Sequence, residues 1–220
     1  MTFTIARLGH LGDGIIQGPE GSIFVAQTLP GEEVEGTVKG DSLADVRILT
    51  PSVHRVKPPC SHARTCGGCM MQHASDAFVA DWKTTIVRTA LAAQGLEADL
   101  RPIITSPPRS RRRATLAARR TKGGVLMGFH ARASDVLVGV PECQLLHPDL
   151  IGAFPALEAI VKLGGSRSQE MDLAITRTSS GGDVAVTGGK PADSTQRMDL
   201  ARLVEAFGLA RLSWNGEVIA

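Results

Sequence analysis

Three of this chain's four cysteines fall in one ten-residue stretch, Cys60-x5-Cys66-Gly67-Gly68-Cys69, and the fourth, Cys143, lies far downstream. Four thiols grouped three plus one read as a metal site, which would join two distant segments of the chain. Gly67-Gly68 lets the backbone wrap tightly because neither residue carries a Cβ. A disulfide framework fits poorly: residues 1–18 show no basic stretch followed by an apolar run, hence no secretory signal. Spacing leaves iron-sulfur and zinc both open. It favours a cubane iron-sulfur cluster, because structural zinc sites commonly pair two short Cys-x2-Cys knuckles and only one is present here. Inert buried thiols are the bland alternative.

Charge is unevenly laid out. Residues 1–50 carry seven acids against three bases, whereas residues 100–134 carry nine bases and no acid. The second stretch is a candidate phosphate-contacting surface, with Arg109, Arg111, Arg113 and Arg119 as its candidate contacts. A solvated basic face is the competing reading for any one of them. No run is long enough to span a bilayer, so the expectation is a cytoplasmic protein without a membrane role, working as a monomer.

The expected fold is α+β. Short strands at 2–8, 14–17, 22–27, 33–39 and 45–49, separated by turns at Gly12-Asp13-Gly14, Pro19-Glu20-Gly21 and Pro30-Gly31, predict a five-stranded barrel of the OB type over residues 1–52. An irregular cysteine-rich loop follows over 53–74. Residues 75–220 read as a mixed α/β domain that ends mid-hairpin and so looks truncated. A helix capped by Ser75 or Asp76 carries Val79, Trp82 and Ile86 at helical spacing, with Trp82 expected in the core. Strands are expected at 112–121 and 125–129, where alternation would turn Arg112 away from Arg111 and Arg113. A helix over 149–163, weakened or bent by Pro155, precedes a hairpin at 171–178 and 184–187. A helix from Asp193 or Ser194 to Gly208 and a last hairpin around Asn215-Gly216 complete the chain.

Cys60-x5-Cys66-Gly67-Gly68-Cys69-x2-Gln72-His73 resembles the cluster motif of RNA uracil-5 methyltransferases. Leu8, Gly12-Asp13-Gly14, Val25 and Leu29-Pro30-Gly31-Glu32 fall where the TRAM module of that family has its pattern. Arg109-x-Arg111-Arg112-Arg113, Met127-Gly128-Phe129 and Val140-x2-Cys143 look like the family's central domain, leading to a fourth cluster ligand. The resemblance implies a 4Fe-4S cluster of structural or RNA-binding use on Cys60, Cys66, Cys69 and Cys143. It also implies methyl transfer from S-adenosylmethionine to C5 of a uridine in structured RNA, most often ribosomal. In that family a cysteine attacks C6 of the uracil and a base later removes the C5 proton. Those residues lie in a Rossmann-like domain with no counterpart here, so the expectation is a binding portion that does not methylate alone.

Two other readings compete. One is a stand-alone iron-sulfur or zinc RNA-binding module without catalytic activity. The other is a radical enzyme with an open iron, disfavoured because Cys143 would close the site and no barrel of eight strand-helix units fits. His73 is read as a hydrogen-bonded neutral imidazole rather than a ligand. Asp13, Glu32 and Glu142 are assigned surface or turn roles, since no nucleophile accompanies them.

Overall fold

Glycine and proline turns cut the first fifty residues into strands too short to stand alone, so they must pair into one sheet to bury their apolar side chains. The computed structural model describes residues 1–18 and 21–220; the turn expected at Pro19-Glu20 lies outside the described residues. Six strands form the first sheet: β1 (Thr2–Thr4), β2 (Arg7–Leu8), β3 (Gly14–Gly18), β4 (Gly21–Val25), β5 (Glu33–Lys39) and β6 (Ser42–Thr50). Their order is β1-β5-β6-β4-β3-β2, antiparallel except where Phe24 of β4 meets Ser42 of β6.

The strand expected over 2–8 is two strands, because the chain changes partner at Ile5. The Ile5 N–H donates to Glu32 O at 2.9 Å and its carbonyl accepts from Gly31 N at 2.8 Å, after which Arg7 pairs with Ile15. One segment therefore supplies both end strands of the sheet, which curls around Ile5, Ile16, Val25, Val34 and Leu43.

Of the surface or turn role expected for Glu32, the structure shows the turn and not the surface. Glu32 is fully buried, and its carboxylate accepts Leu29 N at 2.9 Å, Ser52 N at 3.1 Å, and Arg55 Nε and Nη2 at 2.5 and 2.8 Å. Arg55 Nη2 also donates to Gln27 O at 2.8 Å. The carboxylate thus fastens the Leu29-Pro30-Gly31-Glu32 turn to the chain leaving the sheet. Burial alone would raise its pKa, but the Arg55 hydrogen bonds and two backbone N–H donors outweigh that and hold it below its ordinary value.

Helix α1 (Asp76–Ala92) starts at Ser75, whose hydroxyl accepts Phe78 N at 3.4 Å. None of its residues is fully buried. Trp82, expected in the core, is only half-buried, because the helix lies at the Gly12 turn: a Cβ added at Gly12 would sit 3.6 Å from the Trp82 ring.

The chain divides into two compact units, Met1–Ala63 with Cys69–Thr105 and Arg64–Gly68 with Ser106–Ala220. In the second, β7 (Arg113–Thr121), β8 (Gly124–His130), β9 (Leu137–Gly139), β10 (Met171–Thr178), β11 (Gly181–Thr187), β12 (Arg211–Trp214) and β13 (Glu217–Val218) form one sheet. The order is β13-β12-β11-β10-β7-β8-β9, with only β11 and β12 parallel. Helix α4 (Ser194–Phe207), capped by Asp193 and closed by Gly208 in the left-handed region, makes that crossover. Period-two side chains Leu116 and Ala118, Leu173 and Ile175, and Val184 and Val186 share a core with Leu157, Ile160, Val161, Leu200 and Val204 of the helices.

The helix expected over 149–163 is broken into α2 (Pro148–Gly152) and α3 (Phe154–Gly164). Pro155 has no N–H to give, so it is tolerated in the first turn of a new helix and not inside a continuous one. Among the described residues no helix is long and apolar enough to cross a membrane.

Candidate nucleic-acid interface and thiol loop

The arginine run lies at the point where β7 begins. Arg113 is the first residue of the strand and pairs with Thr176 of β10. Arg112 O accepts Arg177 N at 2.8 Å, Arg111 N donates to Leu145 O at 3.1 Å, and Arg111 O accepts His147 N at 2.9 Å. The backbone is thereby fixed while all three side chains stay exposed. Regular strand pairing starts at Arg113, and the Arg112 O–Arg177 N bond continues its register by one residue. Arg111, Arg112 and Arg113 together line an open groove of ≈ 920 Å³ with Thr115, Thr176 and Arg177. Among the described residues none of these three arginines has an ion-pair partner.

Arg177 is different. Its Nε lies 2.5 Å from Asp149 Oδ2. That hydrogen bond, with the nearby His147 adding to it, holds the Asp149 carboxyl below its ordinary pKa. Nothing in the sequence announced Arg177 or Thr176 as groove residues, since they reach Arg112 and Arg113 only through the β7–β10 pairing.

Two other candidate arginines have separate partners. Arg109, in the left-handed region at φ 55°, donates through Nε and Nη2 to Gln144 Oε1 at 3.2 and 2.9 Å, bracing the stretch beside Cys143. Arg119 lies 3.9 Å from Glu170, whose other oxygen is 2.8 Å from His130 Nε2.

All four cysteines are half-buried, and none is joined in a disulfide. Cys60 and Cys69 belong to the first unit, Cys66 and Cys143 to the second. Cys60 N donates to Gln72 Oε1 at 3.3 Å. Cys66 makes an antiparallel bridge with Ala131, and Gly67 N donates to His130 O at 2.9 Å. A Cβ on Gly67 would lie 2.7 Å from that same oxygen, so only glycine lets the loop approach the sheet this closely. The Gly68 N–H donates to Cys66 Sγ, 3.4 Å away. His73 is buried, and its carbonyl accepts Val56 N at 2.9 Å. Among the described residues no three His, Cys, Asp or Glu side chains are gathered as a ready-made metal cage.

No protein-family model matches the chain. An RNA methyltransferase of Mesorhizobium japonicum is 36% identical over 217 residues, 99% of this chain and 52% of that protein. One from Caulobacter vibrioides is 38% identical over 227 residues, 98% of this chain and 54% of the relative. A 23S rRNA (uracil(1939)-C(5))-methyltransferase of Marinomonas sp. is 34% identical over 166 residues, covering 71% of this chain and 37% of that enzyme. The chain spans about half the length of the curated relatives it matches first. Among solved structures, the Pyrococcus abyssi tRNA (uracil-54, C5)-methyltransferase with S-adenosyl-L-homocysteine superposes with a TM-score of 0.67 at 21% identity, covering 99% of this chain and 54% of that one. Fold and kinship together define a member of the RNA methyltransferases. Within them, the chain belongs to the RNA uracil-5 methyltransferase family.

Proposed function

We propose that these 220 residues are the RNA-binding and cluster-binding portion of an S-adenosylmethionine-dependent enzyme that methylates C5 of a uridine in structured RNA, with 23S ribosomal RNA the first candidate. The observation that carries the reading is the groove of Arg111, Arg112 and Arg113, three guanidiniums without carboxylate partners among the described residues. Guanidinium forks match phosphate oxygens bidentately, and an RNA backbone offers such phosphates at regular spacing. Residues 1–52 are read as a TRAM-type barrel of the OB class and 53–74 as the cluster loop; residues 75–220 carry the RNA-binding part. The protein is cytoplasmic and works as a monomer.

The ligand set follows from the spacing: Cys60, Cys66, Cys69 and Cys143. Four cysteines outside any disulfide and the Gly68 N–H aimed at Cys66 Sγ support the reading of a thiolate-held 4Fe-4S cluster. When bound, the cluster serves structure and RNA binding and supplies no redox chemistry. Neither methyl transfer nor S-adenosylmethionine binding is assigned to these residues, whose only four cysteines all stand in the ligand set.

Two measurements test the reading. Anaerobically purified protein is expected to hold roughly four irons and four sulfides per chain; one zinc without sulfide would replace the cluster with a structural zinc site. Binding of a labelled ribosomal RNA stem-loop should weaken with salt. Replacing Arg111 and Arg113 together by Gln should lower affinity and reduce the log–log salt slope by roughly 1.4 to 1.8. Unchanged binding would remove the groove from the account.

A further inference from the structure

Strand alternation divides the groove lining between the two faces of the second sheet. Leu116, Leu173 and Ile175 point into the core with the helices, so Arg113 and Thr115 of β7, with Ala174 and Thr176 of β10, stand on the opposite face. All four of these residues line the groove. Register sets their spacing: Arg113 is directly across from Thr176, and Thr115 from Ala174. Direct cross-strand partners have Cβ atoms roughly 5 Å apart, and diagonal ones, such as Thr115 and Thr176, roughly 7 to 8 Å. One guanidinium and two hydroxyls therefore share a patch about the size of a single nucleotide.

The hydroxyls are open to a ligand. Thr115 is exposed and Thr176 half-buried, and among the described residues neither hydroxyl is hydrogen-bonded within the protein. Asp183 of β11 is across from Thr176 on its other side, but Arg211 Nε and Nη2 hold the two carboxylate oxygens at 3.0 and 2.7 Å. A ligand that suits the patch presents an anion and, beside it, a group that exchanges hydrogen bonds with hydroxyls, which both donate and accept. A ribose 2′-hydroxyl next to a backbone phosphate is such a group, and DNA lacks it. The lining has no aromatic ring on which a base could stack, so the sugar and phosphate edge is what it can read.

On the reading that this groove binds RNA, we propose that Thr115 and Thr176 bond ribose 2′-hydroxyls of a strand whose phosphate is held by Arg113, and so give the groove a preference for RNA over DNA. Arg113 attracts any nucleic-acid backbone, since a phosphate contact carries no information about the sugar. The two threonines supply the distinction.

Threonine is frequent in strands for its β-branched shape alone. Thr115→Val and Thr176→Val keep that shape and remove only the hydroxyl, so they test the reading without disturbing the sheet. The experiment is fluorescence anisotropy with a labelled RNA stem-loop and its uniformly 2′-fluoro counterpart, which keeps the A-form sugar pucker but cannot donate from the 2′ position. Wild type should bind the RNA more tightly than the fluoro form. Each Val variant should bind the RNA roughly two- to tenfold more weakly, the worth of one hydrogen bond, with little loss on the fluoro form. Thr176→Ser retains the hydroxyl and should retain the preference. Salt slopes should match wild type throughout, because no phosphate contact is removed. Equal losses on both ligands would show that the threonines shape the strand and read no hydroxyl, and the proposal would fall. It would fall too if the double Val variant kept the wild-type preference for RNA, or if wild type had none. Wild-type protein without salt-dependent binding to either ligand would overturn the RNA reading itself, an outcome distinct from all of these.

Discussion

Glu32 shows how much a single residue can carry beyond what its neighbours announce. Its place in a Pro-Gly turn was legible, but its complete burial was not, because Arg55 and Ser52, which make burial tolerable, lie 23 and 20 residues away. Removing one partner of a buried ion pair strands the other, so Glu32→Gln should destabilise the first unit by about 3 kcal/mol. The pH dependence has a definite sign. The folded carboxyl titrates below its ordinary 4.5, so its contribution is fully present above that value and is lost as pH falls through the lower folded pKa. Acid unfolding followed by circular dichroism should therefore show a loss of stability below about pH 4.5 that the Gln variant lacks. A variant with the wild-type acid profile would assign that loss to other carboxylates.

At the scale of elements, the segments that the sequence made readable are those whose pattern is local. Asp193 at an N-cap, Gly208 at a C-cap and Asn215-Gly216 at a hairpin each state their conformation within a few residues, and each appears in the fold as expected. β9 is only three residues long and carries no periodicity to detect. Pro155 was legible as a disturbance, whereas its tolerance at a helix start depends on where the preceding helix stops. The bridge between Cys66 and Ala131 is harder still, since Cys-Gly-Gly-Cys has no strand pattern and gains its partner from the β8–β9 turn. That bridge makes a prediction. Gly67→Ala places a Cβ against His130 O and should cost about 1–3 kcal/mol in a thermal melt, with metal content falling alongside. Gly123→Ala meets nothing within 4 Å and is the control that should change neither. Equal behaviour of the two variants would mean that the loop can move away from the sheet without consequence.

Across the whole molecule, charge layout marked a stretch of arginines to which the fold then gives different surroundings. The acid-free run over 100–134 includes the groove arginines, but folding hands Arg109 to Gln144 and Arg119 to Glu170 and brings Thr176 of a later hairpin opposite Arg113. Linear charge cannot show this, because partners are chosen by strand pairing. The same pairing connects the proposed metal ligand to the groove. Directly after Cys143, Gln144 O accepts Arg109 N at 3.0 Å, Leu145 O accepts Arg111 N at 3.1 Å, and His147 N returns a bond to Arg111 O at 2.9 Å. These three bonds fix the backbone from which the Arg111 side chain projects. If Cys143 is held by a cluster, the strip beside it is held too, since metal-binding free energy is available to order the residues that carry the ligand. Cys143→Ser should therefore lose metal and also weaken RNA binding, roughly two- to fivefold, through a less ordered Arg111. The salt slope should stay close to wild type, because no phosphate contact has been deleted. Measuring metal content, anisotropy and slope on one preparation separates the possibilities. A metal-free variant that binds RNA as tightly as wild type would show the groove to be independent of the cluster. A fully loaded variant would remove Cys143 from the ligand set.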